Sequence, residues 1–539
     1  MNSLTKAALL AATALTLSAG SALADFGLEI LHNNDFHSRF DSINKYDSSC
    51  SAEDDAAGEC FGGAARLLTA INETRDTLEA EGKNVILLNA GDNFQGSLFY
   101  TFYKGEMEAE FMNMLGYDAM TVGNHEFDDS EDGLKTFLDI VDFPVVTANV
   151  KTNADSSVND MIEPSIVLDI DGEKVGIIGA VTNDTPEIAN PGKNIDITVD
   201  VDAITEQVKA LTDQGVNKII ALTHVGYPRD LAAIAVIPGV DVVVGGHSHT
   251  LLSNTDESAA GPYPTMVDNP DGYKVPVVQA NQYGKYLGDL DVVFNDDGVV
   301  TSAKGDPILL DASVTPDEGV LTWISEKAVP LEELKNEEVG EASAEIVGDR
   351  NVCRAEECSM GNLVADAMLA RVADQGITLA IQNGGGVRAS IDAGTVTMGE
   401  VLTVLPFQNT IATFQLKGAD VIAALENGLS QIEEGAGRYP QVSGMKYTYD
   451  SSKEPGSRVV SVEVADGNGG FTPIDETATY GIVTNNYVRG GGDGYDVFDE
   501  KAMNAYDFGP NLEDAVAEYL GMNSPYEPYT DGRIVNVAK

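Results

Sequence analysis

An apolar run at 7–17 follows a single early cation, Lys6, and gives way to the small residues Ser21-Ala22-Leu23-Ala24. This is the pattern of a cleaved export leader at 1–24, with Asp25 expected as the first residue of the mature chain. The run is shorter than the roughly 20 residues that a membrane-spanning helix needs. Further on, short aliphatic and β-branched runs at 28–32, 85–89, 119–122, 144–148, 175–178, 218–222 and 241–244 alternate with amphipathic stretches at 64–79, 106–115 and 203–213. The alternation predicts a layered α/β domain over 25–315, with helices packed against sheet. A polar helical stretch at 316–337 opens with Pro316-Asp317-Glu318 and carries the only tryptophan, Trp323, which marks it as a linker helix. Beyond it a helix is expected at 361–373, with strands at 447–449 and 459–464 and glycine clusters at 384–386 and 490–492. Residues 338–539 therefore read as a second, mixed α/β domain.

Charge changes the picture by exclusion. The 539 residues include 32 basic and 86 acidic side chains, a net charge of -54. Such a surface repels nucleic acid polymers and anionic membranes, so an anionic substrate must meet positive charge concentrated locally. No later segment is long and apolar enough to span a bilayer, and the mixed, charged tail ending at Lys539 carries no hydrophobic anchor signal. A periplasmic or secreted product without a membrane anchor is expected. The four cysteines fall as Cys50 with Cys60 and Cys353 with Cys358. Four cysteines permit three connectivities, and in an exported chain two short-range disulfides between neighbours are the expectation.

Histidine is scarce and clustered. Of six histidines, His37, His125, His224, His247 and His249 lie just after predicted strands, where loops of an α/β sheet converge on one edge. His32 falls within a strand and reads as structural. Asp35-Phe36-His37 sets a carboxylate and an imidazole two residues apart, able to point to one side of an extended loop. Asp92 adds a carboxylate able to bridge two cations, and Asn124, His224 and His247 add further ligands. Two divalent ions about 3.5–4 Å apart can hold a phosphate, activate a water and neutralise charge during in-line attack.

Singly, each motif is an ordinary turn, and Asp128 is an ordinary helix cap. In chain order the set Asp35/His37, Gly91-Asp92, Gly123-Asn124-His125-Glu126, His224 and Gly246-His247-Ser248-His249 resembles the signature DxH, GD, GNHE, H, GHxH of the metallophosphoesterase superfamily. The resemblance implies a four-layered αββα domain. It implies one metal on Asp35, His37, Asp92 and His249, and a second on Asp92, Asn124, His224 and His247, with Asp92 bridging. It also implies a catalytic dyad in which Asp128 orients the His125 ring. The ligand types suit Zn²⁺, Mn²⁺, Co²⁺ or Fe and leave the identity of the two ions open.

Metals explain hydrolysis but not which ester is cut. Three clusters in the second half bear on that: Cys353-Arg354 with Met360-Gly361-Asn362-Leu363, Gln382-Asn383-Gly384-Gly385-Gly386-Val387-Arg388, and Asn486-Tyr487 with Gly490-Gly491-Gly492-Asp493-Gly494. Arginine offers bidentate hydrogen bonds to phosphate, and glycine lets backbone approach a ligand. The glycine run lacks the spacing of a P-loop. Together these clusters resemble the C-terminal domain of the 5′-nucleotidase family, both its periplasmic and its animal ecto forms. The resemblance implies a nucleotide substrate, with Phe407 and Tyr487 sandwiching the base, Asp493 accepting from ribose hydroxyls, and Arg354, Asn383 and Arg388 contacting phosphate and nucleoside. It also implies rotation of the second domain about the linker helix. The expected activity is metal-dependent hydrolysis of nucleoside 5′-phosphates, extending to di- and triphosphates or UDP-sugars. The nearest rival is a 2′,3′-cyclic-nucleotide 2′-phosphodiesterase with 3′-nucleotidase activity. A catalytically silent nucleoside-binding protein is disfavoured by the intact Asp92, Asn124 and His125.

Overall fold

The computed structural model describes residues 25–538 apart from 45, 46, 48, 49, 51, 468 and 508. The expected leader at 1–24 lies outside the described residues. Side-chain parity along the strands sorts the first half into layers. One six-stranded sheet orders Val300–Gly305, Tyr286–Phe294, Phe26–Asn33, Val85–Asn89 and Ala119–Met120, with Ile308–Leu309 paired to the second of these. The other orders Thr265–Asp268, Lys274–Val278, Val242–Val244, Ile219–His224, Glu173–Val181 and Ser165–Ile170. Leu28, Ile30, Ile86 and Leu88 from the first sheet meet Val175, Ile177, Ile220 and Leu222 from the second in one core. The alternate residues Leu31 and Leu87 face outward to helices Ala64–Ala80, Glu106–Leu115 and Ser130–Leu138. On the far side Ile178, Ile219 and Ala221 meet helix Asp200–Asp213. Successive residues on a strand point to opposite faces, so each sheet buries both sides and four αββα layers result.

Several boundaries differ from the sequence expectations. The strand expected at 119–122 is only Ala119–Met120, and 144–148 forms single bridges, Met120↔Val145 and Val146↔Glu163, instead of a strand. Pro144 has no N–H to extend a ladder there. The stretch expected as one linker helix at 316–337 forms two helices, Glu318–Ala328 and Leu331–Lys335, separated at Pro330. Asp317 caps the first by accepting from Val320 N at 2.8 Å, and Trp323 packs on Phe40 and Phe111 of the first half.

In the second half a five-stranded sheet orders Pro440–Ser443, Leu379–Asn383, Thr479–Asn485, Ile411–Lys417 and Met503–Tyr506. Helices Ser359–Arg371 and Leu512–Met522 share a core on one face, while Gly418–Gly428 covers a second core. The first of these helices starts two residues earlier than expected because the Cys358 Sγ caps it, accepting from Gly361 N. The expected strands near 447 and 459 are Met445–Tyr449 and Val459–Ala465, paired antiparallel. Both neighbour disulfides form, Cys50–Cys60 and Cys353–Cys358. No helix among the described residues is long and apolar enough to cross a membrane.

Candidate active site

Strands Phe26–Asn33, Val85–Asn89 and Ala119–Met120 run parallel, so the loops carrying Asp35, Asp92 and Asn124 emerge together at one edge. On the other sheet His224 ends Ile219–His224, and His247 follows the adjacent parallel strand Val242–Val244. The fold thereby assembles two groups, Asp35 with His37 and His249, and Asp92 with His224 and His247. Within each, the potential ligand atoms lie within 4.8 Å of one another. The groups adjoin through Asp92, whose Oδ2 is 3.9 Å from His37 Nε2 and 2.9 Å from His224 Nε2.

This geometry strains the backbone. Asp35, His37, Asp92, His247 and His249 all adopt left-handed φ, between 49° and 77°, a region that costs a non-glycine residue on the order of 1–3 kcal/mol. Glu126 counters part of the cost. Its buried carboxylate accepts from the backbone of Asp92, Asn93 and Gly123 at 3.0, 2.7 and 2.6 Å, tying two site loops together. The motif contains Glu126, but spacing alone assigned it no task. At Gly123 any side chain would strike the Asp92 carboxylate.

The imidazoles are oriented from behind. His37 Nδ1 bonds Phe94 O at 3.0 Å and His224 Nδ1 bonds Ala90 O at 2.6 Å, which leaves each Nε2 for the centre. Burial, reinforced by the neighbouring imidazoles, pushes His37 and His247 down to about 3, so both are neutral and able to ligate. Burial acts the other way on Asp92, yet His224 and His125 hold its carboxyl well below the usual range. Asn124 is buried, and its Oδ1 has no hydrogen-bond partner. Ionised carboxylates, inward-facing imidazole nitrogens and an unbonded amide oxygen form a donor set that fits divalent cations.

His125 stands beside this set, its Nδ1 2.7 Å from Asp128 Oδ2 and its Nε2 buried without a hydrogen-bond partner. Burial would lower its pKa, but the carboxylates of Asp128 and Asp92 outweigh that and raise it to about 10. With Nδ1 held by Asp128, Nε2 is the ring nitrogen left unbonded.

In the second half, strands Leu379–Asn383 and Thr479–Asn485 are parallel neighbours, and their ends present Asn383 and Tyr487 side by side. A cavity of ≈ 280 Å³ is lined by Arg354, Asn383, Arg388, Phe407, Tyr487 and Asp493, and also by Asn44 and Asn409, which sequence reading missed. Asp493 accepts from Asn383 Nδ2 at 2.7 Å and from the Tyr487 hydroxyl at 3.2 Å. The Arg388 guanidinium sits 5.4 Å from the Phe407 ring centroid, and Arg354 Nε is buried without a hydrogen-bond partner. A further cavity of ≈ 660 Å³ is lined by Tyr487 and Asp493 together with His249 and Tyr283, so both halves open onto shared space. Arg39 Nη2 donates across the divide to Gln408 O at 2.8 Å, and Asn124 Nδ2 donates to the Tyr506 hydroxyl at 3.4 Å.

Comparison with known proteins agrees with this division. Residues 28–251 match the calcineurin-like phosphoesterase family and residues 338–500 match the 5′-nucleotidase C-terminal domain. The chain is 38% identical over 544 residues to snake venom 5′-nucleotidase of Gloydius brevicauda, covering 97% of this chain and 90% of that one. It is 38% identical over 527 residues to 5′-nucleotidase of Homo sapiens, covering 94% and 90%. Among solved structures, the 5′-nucleotidase precursor from Thermus thermophilus is 40% identical with a TM-score of 0.59, covering 95% of this chain and all of that one. NAD nucleotidase from Haemophilus influenzae is 27% identical with a TM-score of 0.77, covering 95% and 99%. The chain belongs to the 5′-nucleotidase family, a two-domain phosphoric monoester hydrolase with a metallophosphoesterase first domain.

Proposed function

We propose that this protein is an exported, dinuclear-metal-dependent 5′-nucleotidase that hydrolyses nucleoside 5′-phosphates to nucleoside and phosphate. The observation that carries the reading is the shared cavity, in which Tyr487 and Asp493 of the nucleotide pocket face His249 of the metal residues. Asp35, His37, Asp92 and His249 would hold one ion, and Asp92, Asn124, His224 and His247 the other. Bound there, the pair would supply Lewis acidity and an activated water. Phe407 and Tyr487 stack a base, which gives affinity with little selectivity among bases. Asp493 accepts from ribose hydroxyls, and Arg354, Asn383 and Arg388 hold phosphate and nucleoside. His125, held by Asp128 at Nδ1, presents its other N–H to the transferring phosphoryl group or to the leaving oxygen.

The nucleotide is delivered by rotation of the second domain about the two linker helices. The 40% identical Thermus structure superposes less well than the 27% identical NAD nucleotidase, which supports variable domain placement. A crosslink that locks the domains and leaves turnover intact would contradict rotation. The room beyond the base pocket and the NAD nucleotidase neighbour favour acceptance of longer phosphate esters, such as nucleoside di- and triphosphates or UDP-sugars. Export rests on the leader pattern and on the two disulfides. A panel of 5′-AMP, 3′-AMP, 2′,3′-cyclic AMP and UDP-glucose tests the assignment. Fastest turnover of 5′-AMP supports it, and preference for the cyclic or 3′ ester would establish the rival activity.

A further inference from the structure

The second domain touches the metal residues at a place outside the nucleotide pocket. Edge strand Met503–Tyr506 is held to its sheet by the pairs Thr413↔Tyr506 and Gln415↔Met503. Its end projects to the first domain, where the Tyr506 hydroxyl accepts from Asn124 Nδ2 at 3.4 Å. The following residue, Asp507, lines the shared cavity with His249. It is anchored by Arg489 Nε at 3.1 Å, and its carbonyl accepts from the Thr410 hydroxyl at 2.9 Å. Tyr506 therefore sits on a segment fixed within its own domain while its hydroxyl serves the other.

An asparagine can ligate a hard cation only through Oδ1, and a half-turn of the amide would replace that oxygen with an NH₂ group. What Nδ2 bonds to therefore decides where Oδ1 points. Asn124 is fully buried and its Oδ1 has no hydrogen-bond partner, while Nδ2 is engaged by Tyr506.

We propose that Tyr506 is a positioning residue for the metal centre, its hydroxyl holding the Asn124 amide in the ligating orientation only when the second domain is docked. Metal ligation is thereby linked to domain arrangement. The inference rests on the two-metal reading above. Partners of metal ligands commonly govern affinity or activity by about 10–100-fold.

The test is Tyr506→Phe, which keeps the ring and deletes the hydroxyl. Full-length apoprotein, wild type and variant, is titrated with Co²⁺ and followed by visible absorption, with kcat and KM for 5′-AMP measured alongside. The expected result is two bound ions in the wild type and, in the variant, a second ion bound about 10-fold or more weakly with an altered spectrum. The variant's kcat falls while its KM holds, because Tyr506 does not line the nucleotide pocket. A wild type that binds two ions and a variant with the same second-ion affinity and spectrum would overturn the inference, whatever its kcat. A wild type that binds fewer than two ions would overturn the two-metal reading itself.

Discussion

Replacing Asp128 by asparagine preserves the size of the side chain and removes its charge, which isolates what the carboxylate does for His125. Their contact is 2.7 Å, with the side chains only 3% and 17% exposed, so solvent screens it little. A hydrogen bond to a charged group contributes about 1.5–3 kcal/mol. At 1.36 kcal/mol per tenfold in rate, losing it slows the chemical step by about 10- to 150-fold. Asp128 lies outside the nucleotide pocket, so KM should stay near the wild-type value. The assay is steady-state phosphate release from 5′-AMP with metal in excess. A kcat within about twofold of wild type would refute the dyad, because that corresponds to less than about 0.5 kcal/mol. So would a loss confined to KM, which would place Asp128 in ground-state binding.

Phe407→Ala or Tyr487→Ala removes one face of the base sandwich. With stacking at about 1–3 kcal/mol per base, KM for 5′-AMP should rise by about 5- to 150-fold, while hydrolysis of a small phenyl phosphate is unchanged. Equal losses on both substrates would contradict base stacking. Asp241 reports on stability instead. Burial raises its carboxyl from 3.8 to about 8 even though it accepts from Ile219 N at 2.8 Å. The folded chain keeps a proton that the unfolded chain releases, so this group's contribution to stability falls as pH rises from about 4 to about 8. Asp241→Asn does not titrate, so its thermal midpoint relative to wild type should climb over that interval and level off above it. A constant offset across pH would contradict the assignment.

The two groups that could hold metal were legible as candidates because Asp35, His37, Asp92, His224, His247 and His249 sit in short motifs directly after strands, where local spacing and chain order carry the information. The helical character of the stretch around Trp323 was likewise readable, although the break at Pro330 into two helices became visible only in the structure. The parity of Leu28, Ile30 and Leu31 is readable locally, but that their two faces meet different layers depends on helices and strands far along the chain. Tyr506 was not legible for the same reason. It lies 382 residues from Asn124, on an edge strand without a motif. Asn44 and Asn409 reach the cavity lined by Phe407, Tyr487 and Asp493 from different halves of the chain, and no spacing rule joins them. Glu126 stood within a quoted motif, yet its task appears only when three backbone N–H groups converge on it.

The central claim is that two metal-ligand groups and a nucleotide pocket act as one hydrolytic site. It is tested most directly by stripping the protein of metal, titrating it with Mn²⁺ or Co²⁺, and measuring adenosine and phosphate formed from 5′-AMP against ions bound. The account predicts negligible turnover without metal and a rate that reaches its plateau as the second ion binds. Undiminished turnover in the stripped protein, a plateau at one ion, or no release of phosphate from 5′-AMP at any metal loading would contradict it.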